Sequence, residues 1–260
     1  MAFNKPAEIA DIAINIGVEK VDSTVKKMLV LGFLGGAFIA LGFLLDIRVM
    51  AAMPAEWGSF VTFLGAAVFP LGLILVLLAG ADLITGNMMT VPMAFFAKKI
   101  NISQLLYNWF WVTVANLLGA LFVAFAFGHF LGLTETGVFL DKTIAIADAK
   151  IGDSFLHTFV SAIGCNWLVC LACWLCFGAN DFVGKILGIW FPVMAFVTLG
   201  FQHVVANMFV IPAAIFAGHA TWMQLIDNVI PAFLGNAVGG ALFVGAIYFV
   251  AYNKKKAVNI

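Results

Sequence analysis

An all-α membrane protein is the fold class this sequence predicts, with six transmembrane helices forming two inverted three-helix repeats whose second and fifth helices are broken. Three observations carry that expectation. Of 260 residues, 64% are hydrophobic and 10% charged, against about 45–50% and about 25% in ordinary soluble domains. The apolar residues gather into six segments near the roughly 20 residues that a helix needs to cross a bilayer. Finally, one interrupted apolar segment occurs twice, as Gly80–Ala97 and again as Gly200–Ala217.

Residues 1–27 carry Glu8, Asp11, Glu19 and Asp22 and no continuous apolar core, which argues against a cleavable signal peptide. Ile9, Ile12, Ala13, Ile16 and Val21 follow helical spacing, so a cytoplasmic amphipathic helix is expected. Such a helix lies on the membrane surface or packs under the membrane segments; a plain surface helix is the expectation. The first crossing, 28–47, is rich in small residues (Gly32, Gly35, Gly36, Gly42). These permit close helix contact within one subunit or between subunits. The second crossing, 58–83, breaks and resumes as a short helix to 97, and the third, 104–130, completes the first repeat, 28–130. The fourth, 154–179, holds Cys165, Cys170, Cys173 and Cys176. Their spacing resembles an iron–sulfur run, but within a continuous apolar helix free cysteine acts as a small hydrophobe. The fifth, 185–202, breaks like the second and resumes to 217. The sixth, 229–252, carries Gly235, Gly239, Gly240 and Gly245 and completes the second repeat, 154–252.

Three crossings per half turn the second half upside down relative to the first, and residues 1–260 read as one transmembrane domain. Lys5, Lys20, Lys26, Lys27, Lys98, Lys99, Lys185 and Lys254–Lys256 fall on one side, whereas only Arg48, Lys142 and Lys150 fall on the other. Positive residues accumulate on the cytoplasmic side, so both termini are expected in the cytoplasm and the chain in the cell membrane.

Chemistry concentrates at the two breaks. Asn87/Asn207, Met88/Met208, Pro92/Pro212, Asn116/Asn236 and Gly119/Gly239 keep one offset, and paired interruptions in two halves point to a transport site at the membrane midplane. Short helices beginning near Met88 and Met208 would direct their positive ends inward and favour an anion; kinks that only shape packing are the alternative. His203, in the second break, is an ionisable group at membrane depth and hence a functional candidate. Burial favours its neutral imidazole and a nearby anion its imidazolium, which suits proton exchange with a weak acid. Thr85 offers a hydroxyl that donates and accepts, so it can bind a carboxylate or orient the imidazole; Asn207 offers an amide four residues after His203, and Asn87 either the same or a tie for its loop. Asp82 would repel an anion and is expected to cap loop N–H groups or face the cytoplasmic interface. His129, His157 and His219 show no paired metal-ligand spacing and sit near segment ends. No catalytic constellation and no basic stripe for nucleic acid is evident, so neither an enzyme nor a cofactor is expected.

Gly80-Ala-Asp-Leu, the Thr85 loop, Lys150 ahead of Asn166-x3-Cys170-Leu-Ala, and Gly200-Phe-Gln-His-x3-Asn-Met-Phe together resemble the formate/nitrite transporter family, over residues 5–250. The resemblance implies a homopentamer of aquaporin-like subunits, each with its own pore for small monovalent anions such as formate, nitrite or hydrosulfide. It implies that His203, Thr85 and Asn207 line the substrate pathway and that Lys150 stands at its outer vestibule. Phe69 and Phe196 would form the outer constriction, and Leu73, Leu83 and Ile84 the inner one. Two positions depart from the pattern. Many formate-type members carry glutamate before the histidine, where this chain has Gln202, and Ile84 replaces an aromatic residue of some relatives.

These parts imply a mechanism. Lys150 and the half-helix dipoles concentrate anions, the apolar rings reject an unpaired charge, and a weak acid escapes that penalty by taking up a proton. Formate has a pKa in the carboxylate range of roughly 4, and the expected partners are small anions, protons and membrane lipids. Formate passage is the first reading and hydrosulfide or nitrite the next. A neutral-solute pore of the water or glycerol type remains an alternative, although neither break carries Asn-Pro-Ala. A membrane enzyme or electron carrier using the cysteine run is the third class.

Overall fold

The computed structural model of this chain describes residues 3–252; the run Lys254–Lys256 lies outside the described residues. Ten helices organise them: α1 Pro6–Val21, α2 Val25–Met50, α3 Ser59–Gly80, α4 Ile84–Phe96, α5 Ile102–Phe130, α6 Val138–Ile151, α7 Phe155–Gly178, α8 Phe182–Thr198, α9 Val204–Phe216 and α10 Trp222–Tyr252. Five of them, α2, α3, α5, α7 and α10, are long and apolar enough to cross a bilayer. The expected fifth crossing is instead the 17-residue α8, because the chain leaves its helix at Thr198.

Small residues bring these helices together within the subunit, which settles the choice left open by their spacing. Gly36 of α2 packs on the carbonyl of Asn116 in α5, and Gly119 of α5 packs back on Phe33 O of α2. Gly235 and Gly239 of α10 sit likewise over Phe159 O and Ile163 O of α7. A side chain at any of these positions would meet backbone, so the helices cross at a distance only glycine allows.

The half-helices α4 and α9 form the centre, and nearly every residue in them is buried. Both begin about one turn earlier than expected, at Ile84 and Val204 rather than near Met88 and Met208, because buried side chains cap them. Helix α3 ends in a stretch of i→i+5 bonds, Leu75–Gly80, and α5 and α10 contain similar stretches at Ala124–Phe130 and Gly239–Ala246. Such wide turns often mark functional positions in helices. The outward faces of α5, α7 and α10 carry exposed Phe110, Phe122, Phe155, Leu234 and Leu242, apolar surface suited to lipid or to neighbouring subunits.

Helix α1 is docked rather than lying free as a plain surface helix. Its buried face is Ile9, Ala10, Ala13, Ile14 and Gly17, whereas Ile12 and Ile16 are only partly covered. Gly17 rests on the carbonyl of Thr90 in α4, and Asn4 N donates to Gly178 O at 2.7 Å. The small residues decide the docked face, since Ala10 and Gly17 let backbones approach where isoleucine would not. Helix α6, between the two halves, was not read as an element in the sequence.

Candidate functional site

Each break is built the same way. Gly80 and Gly200 adopt φ of 92° and 73°, which glycine reaches without strain. The residue after each closes an i→i+5 bond, Ala81 N to Val76 O at 2.8 Å and Phe201 N to Phe196 O at 3.1 Å. Buried asparagines then cap the half-helices. Asn116 Oδ1 accepts from Ile84 N and Asn236 Oδ1 from Val204 N, both at 2.9 Å. The Nδ2 groups donate to Asp82 O and Gln202 O, at 2.9 and 3.0 Å. Asn116 and Asn236 are wholly buried, so the amides satisfy backbone that the breaks expose.

His203 is the residue preceding α9, and its Nδ1 accepts from Ala206 N at 3.1 Å. A nitrogen that accepts carries no proton, so the neutral ring has its proton on Nε2. Nε2 lies 3.1 Å from Thr85 Oγ1 at the start of α4 and therefore donates to it. The Thr85 hydroxyl keeps its own proton for another acceptor. The two breaks thus meet in one buried pair, with His203 2% exposed and Thr85 0%.

Three cavities lie in sequence, the first two lined by His203 and none by Thr85. The largest, about 300 Å³, is lined by Asp46, Phe69, Lys142, Lys150, Phe196, His203 and Asn207, among others. It closes at Phe69 and Phe196, whose rings meet edge-on with centroids 5.7 Å apart; Phe196 also stacks on His203 at 5.7 Å. Beyond lies a void of about 10 Å³ bounded by Phe69, Leu73, Leu83, Phe196 and His203. Leu73 and Leu83 then separate it from a cavity of about 30 Å³ that Lys20, Gly86, Thr90, Cys173 and Phe177 also line. Ile84 is not among the residues lining these cavities. As the first residue of α4 it is buried in the same hydrophobic core as Leu73 and Leu83.

Polar groups hold the outer side of the second break. Asn207 Nδ2 donates to Gln202 Oε1 and to Asn228 Oδ1, each at 2.7 Å, while its Oδ1 has no partner and the residue lines the large cavity. Gln202 Nε2 donates to Asp153 Oδ2 at 2.9 Å. Lys150 Nζ donates to Gly200 O and Phe201 O at 2.8 and 3.0 Å, so its charge meets carbonyls rather than a carboxylate. Burial lowers the Lys150 ammonium below the ordinary lysine value. Burial acts to raise Asp153, but the hydrogen bonds of Gln202 and His157 and the charges of His157 and Lys150 outweigh it and hold the carboxyl below its usual range.

On the other side, Asp82 pairs with Lys20 of α1 at 2.5 Å, and Asn87 Nδ2 donates to Asn108 Oδ1 at 3.0 Å. Asn87 is thus bonded to α5 as Asn207 is to α10. Lys20, Asn108, Asn228, Asp153 and Asp46 are the polar residues that sequence reading missed at the site. Only Asn108 and Asn228 carried a usable signal, the same offset that relates Asn87 to Asn207. The four cysteines are buried free thiols inside α7, and no group of metal-ligating side chains occurs among the described residues.

Comparison with known proteins places this geometry. Residues 7–250 match the family model described as formate/nitrite transporter. The chain belongs to the formate/nitrite transporter family. Among curated members it is 67% identical over 255 residues to the transporter YrhG of Bacillus subtilis (strain 168), covering 98% of this chain and 96% of that one. It is 61% identical over 255 residues to the formate channel BtFdhC of Bacillus thuringiensis, covering 98% of each. Among solved structures, an FNT family ion channel superposes with a TM-score of 0.86 at 26% identity, covering 94% of this chain and 98% of that one. A pentameric formate channel with formate bound gives 0.76 at 30% identity, covering 88% and 98%. In this family member, then, a histidine bonded to a buried threonine lines the void bounded by Phe69, Phe196, Leu73 and Leu83.

Proposed function

We propose that this chain is a channel for formate, passed as the anion to the constriction and carried across it with a proton. The carrying observation is His203, bonded to Thr85 and lining the void between Phe69/Phe196 and Leu73/Leu83. A bare carboxylate in so apolar a passage costs several kcal/mol or more, and protonation removes that cost. The Nε2–H of His203 donates to Thr85 Oγ1, leaving the Thr85 hydroxyl proton to hydrogen-bond a carboxylate oxygen, and the proton that neutralises formate is taken from the external solution, so the neutral pair keeps its own protons. Asn207 Oδ1, without a partner in the large cavity, offers an acceptor to the protonated acid. Formate is preferred to nitrite or hydrosulfide because BtFdhC, of known name, is alike over nearly the whole chain.

The architecture belongs to the same proposal: one domain over 1–260, six crossings, two inverted three-helix repeats with broken second and fifth helices, aquaporin-like, with both termini in the cytoplasm and the cell membrane as its location. Five subunits assemble, each with its own pore, their apolar outer faces against lipid and one another. Recurrence of the asparagine caps at both breaks supports the repeat, and the solved pentameric formate channel supports the assembly.

Uptake into proteoliposomes of formate, nitrite and hydrosulfide, at a series of external pH values, tests this for wild type and His203→Ala. Formate flux that rises as external pH falls, and loses that rise in the variant, is expected. Preference for nitrite or hydrosulfide would move the substrate within the family. Equal flux and pH response in both proteins would remove His203 from the mechanism, and flux indifferent to pH and membrane potential would restore the neutral-solute reading.

A further inference from the structure

Asp46 is a carboxyl with no stated place in the mechanism. It sits in the last turns of α2, only 1% exposed, and lines the large cavity that ends at His203. Its Oδ1 has no hydrogen-bond partner, and among the described residues no ion pair engages it. Space has been kept for it, since a side chain at Gly65 of α3 would meet Asp46 Oδ1 and Met50. Buried polar groups are nearly always bonded; Oδ1 packs against α3 and neither carboxyl oxygen is bonded among the described residues, so a cavity-lining residue with its carboxyl unpaired indicates a group whose partner arrives from the cavity.

The surrounding charges are few. Lys142 and Lys150 of α6 and His203 at the head of α9 line the same cavity. Lys150 is bound to the carbonyls of Gly200 and Phe201. Arg48, on the same helix as Asp46, turns away to Leu133 O and the Phe139 ring. Helix α3 presents no ionisable side chain, and His129 of α5 is engaged by Glu135.

We propose that Asp46 is an anion-binding residue of the outer vestibule, which in its protonated form donates a hydrogen bond to an incoming monocarboxylate and in its ionised form turns that anion away. This rests on the anion-channel reading above but concerns a separate residue. No covalent step is involved: the Asp46 O–H donates, a carboxylate oxygen accepts, and the proton stays on Asp46. Lys142, on the facing helix, supplies the positive charge that balances the bound anion. Occupancy of the vestibule then depends on external pH through Asp46, before the acid reaches His203.

Concentration-dependent formate uptake into proteoliposomes by wild type, Asp46→Asn and Asp46→Ala, at external pH values from about 4 to about 7, tests the proposal. Asparagine keeps a donor at every pH, so its apparent KM for formate, taken relative to wild type, should fall as pH rises. Alanine removes the donor, and its KM at the acid end should rise about tenfold, the size of one hydrogen bond to a charged group. Maximal flux should change less than KM in both. Unchanged KM and unchanged pH profile in both variants would overturn the proposal, and so would an asparagine variant as impaired as alanine at every pH. If the variants do not assemble, infrared difference spectra of wild type on adding carbon-13 formate decide the question. A formate-induced shift in a protonated-carboxyl band supports the proposal and no such band overturns it. Wild-type liposomes that take up no formate at all would instead fail the substrate assignment, which the same experiment reads separately.

Discussion

Replacing Asn236 by alanine removes a side chain whose hydrogen bonds all go to backbone around the second break. Its Oδ1 accepts from Val204 N at 2.9 Å, and its Nδ2 donates to Ala162 O at 2.8 Å and Gln202 O at 3.0 Å. The residue is 0% exposed, so no water takes over these bonds. Each buried group left unsatisfied costs about 1–3 kcal/mol, whereas side-chain hydrogen bonds measured within a membrane protein average about 0.6 kcal/mol. Losing all three therefore costs between about 2 and about 9 kcal/mol. Ala162 O lies inside α7 and keeps its helical partner, which places the expectation in the lower half, about 2–5 kcal/mol. Denaturant titration of the detergent-solubilised protein reads this directly, with Asn116→Ala as the companion. Asn116 makes the corresponding bonds to Ile84 N, Gly32 O and Asp82 O, so its loss should agree with that of Asn236 to within about 1 kcal/mol. A loss below about 1 kcal/mol in both variants would mean that the chain holds its breaks without these amides, and the capping account would fail.

Gly36→Ala would drive a methyl group into the Asn116 carbonyl, and overpacking of that kind costs about 3 kcal/mol or more. The assembled protein should disappear from size-exclusion profiles, whereas Gly86→Ala, whose methyl meets only Cys173 Sγ at 3.6 Å, should assemble and lower flux by narrowing the inner cavity. Asp153→Asn should lower thermal stability near neutral pH. The folded carboxyl titrates below its usual range, so its stabilising contribution is present above the unfolded value of about 4 and fades as pH falls through the folded value. The wild-type advantage should therefore vanish at acid pH; an advantage that persists there would show that Asp153 acts through shape, not charge.

What the sequence made legible was whatever kept one offset. The breaks, their glycines and Asn116/Asn236 hold that offset, and the structure places them in corresponding bonds. Thr85 and His203 could be named separately, but their 3.1 Å contact joins residues of different segments, which periodicity does not report. Ile84 meets a related limit. A residue at the start of a half-helix faces either the passage or the core, and the choice depends on how α4 is turned by its cap. Asp46 was passed over because it stands at the end of the first apolar segment, where an acid reads as an interfacial residue rather than a group at membrane depth. Lys98 adopts φ of 58° where Gly218 has 82°, so the turn after α4 repeats the one after α9 although its residue type does not.

The correspondence of α1 with α6 escaped because it runs at another offset. Asn108 Nδ2 donates to Lys20 O at 3.2 Å, and Asn228 Nδ2 donates to Lys150 O at 2.8 Å, so α1 and α6 hold the same position over the two breaks. Residues 51–58 between α2 and α3 make a longer connection than 179–181 between α7 and α8, and this shifts the register before each break. Once α1 and α6 are paired, the lysines they carry stand out as unequal. Lys20 meets the carboxylate of Asp82 and is neutralised, whereas the corresponding position on the other side is Gln202, and Lys150 meets only carbonyls. Both Lys150 and Lys142 line the large cavity, which keeps a positive field that the small inner one lacks. An anion is therefore gathered on the large-cavity side by charge and met there by Asp46, so the proton state of that one carboxyl has more influence on entry than any group on the opposite face.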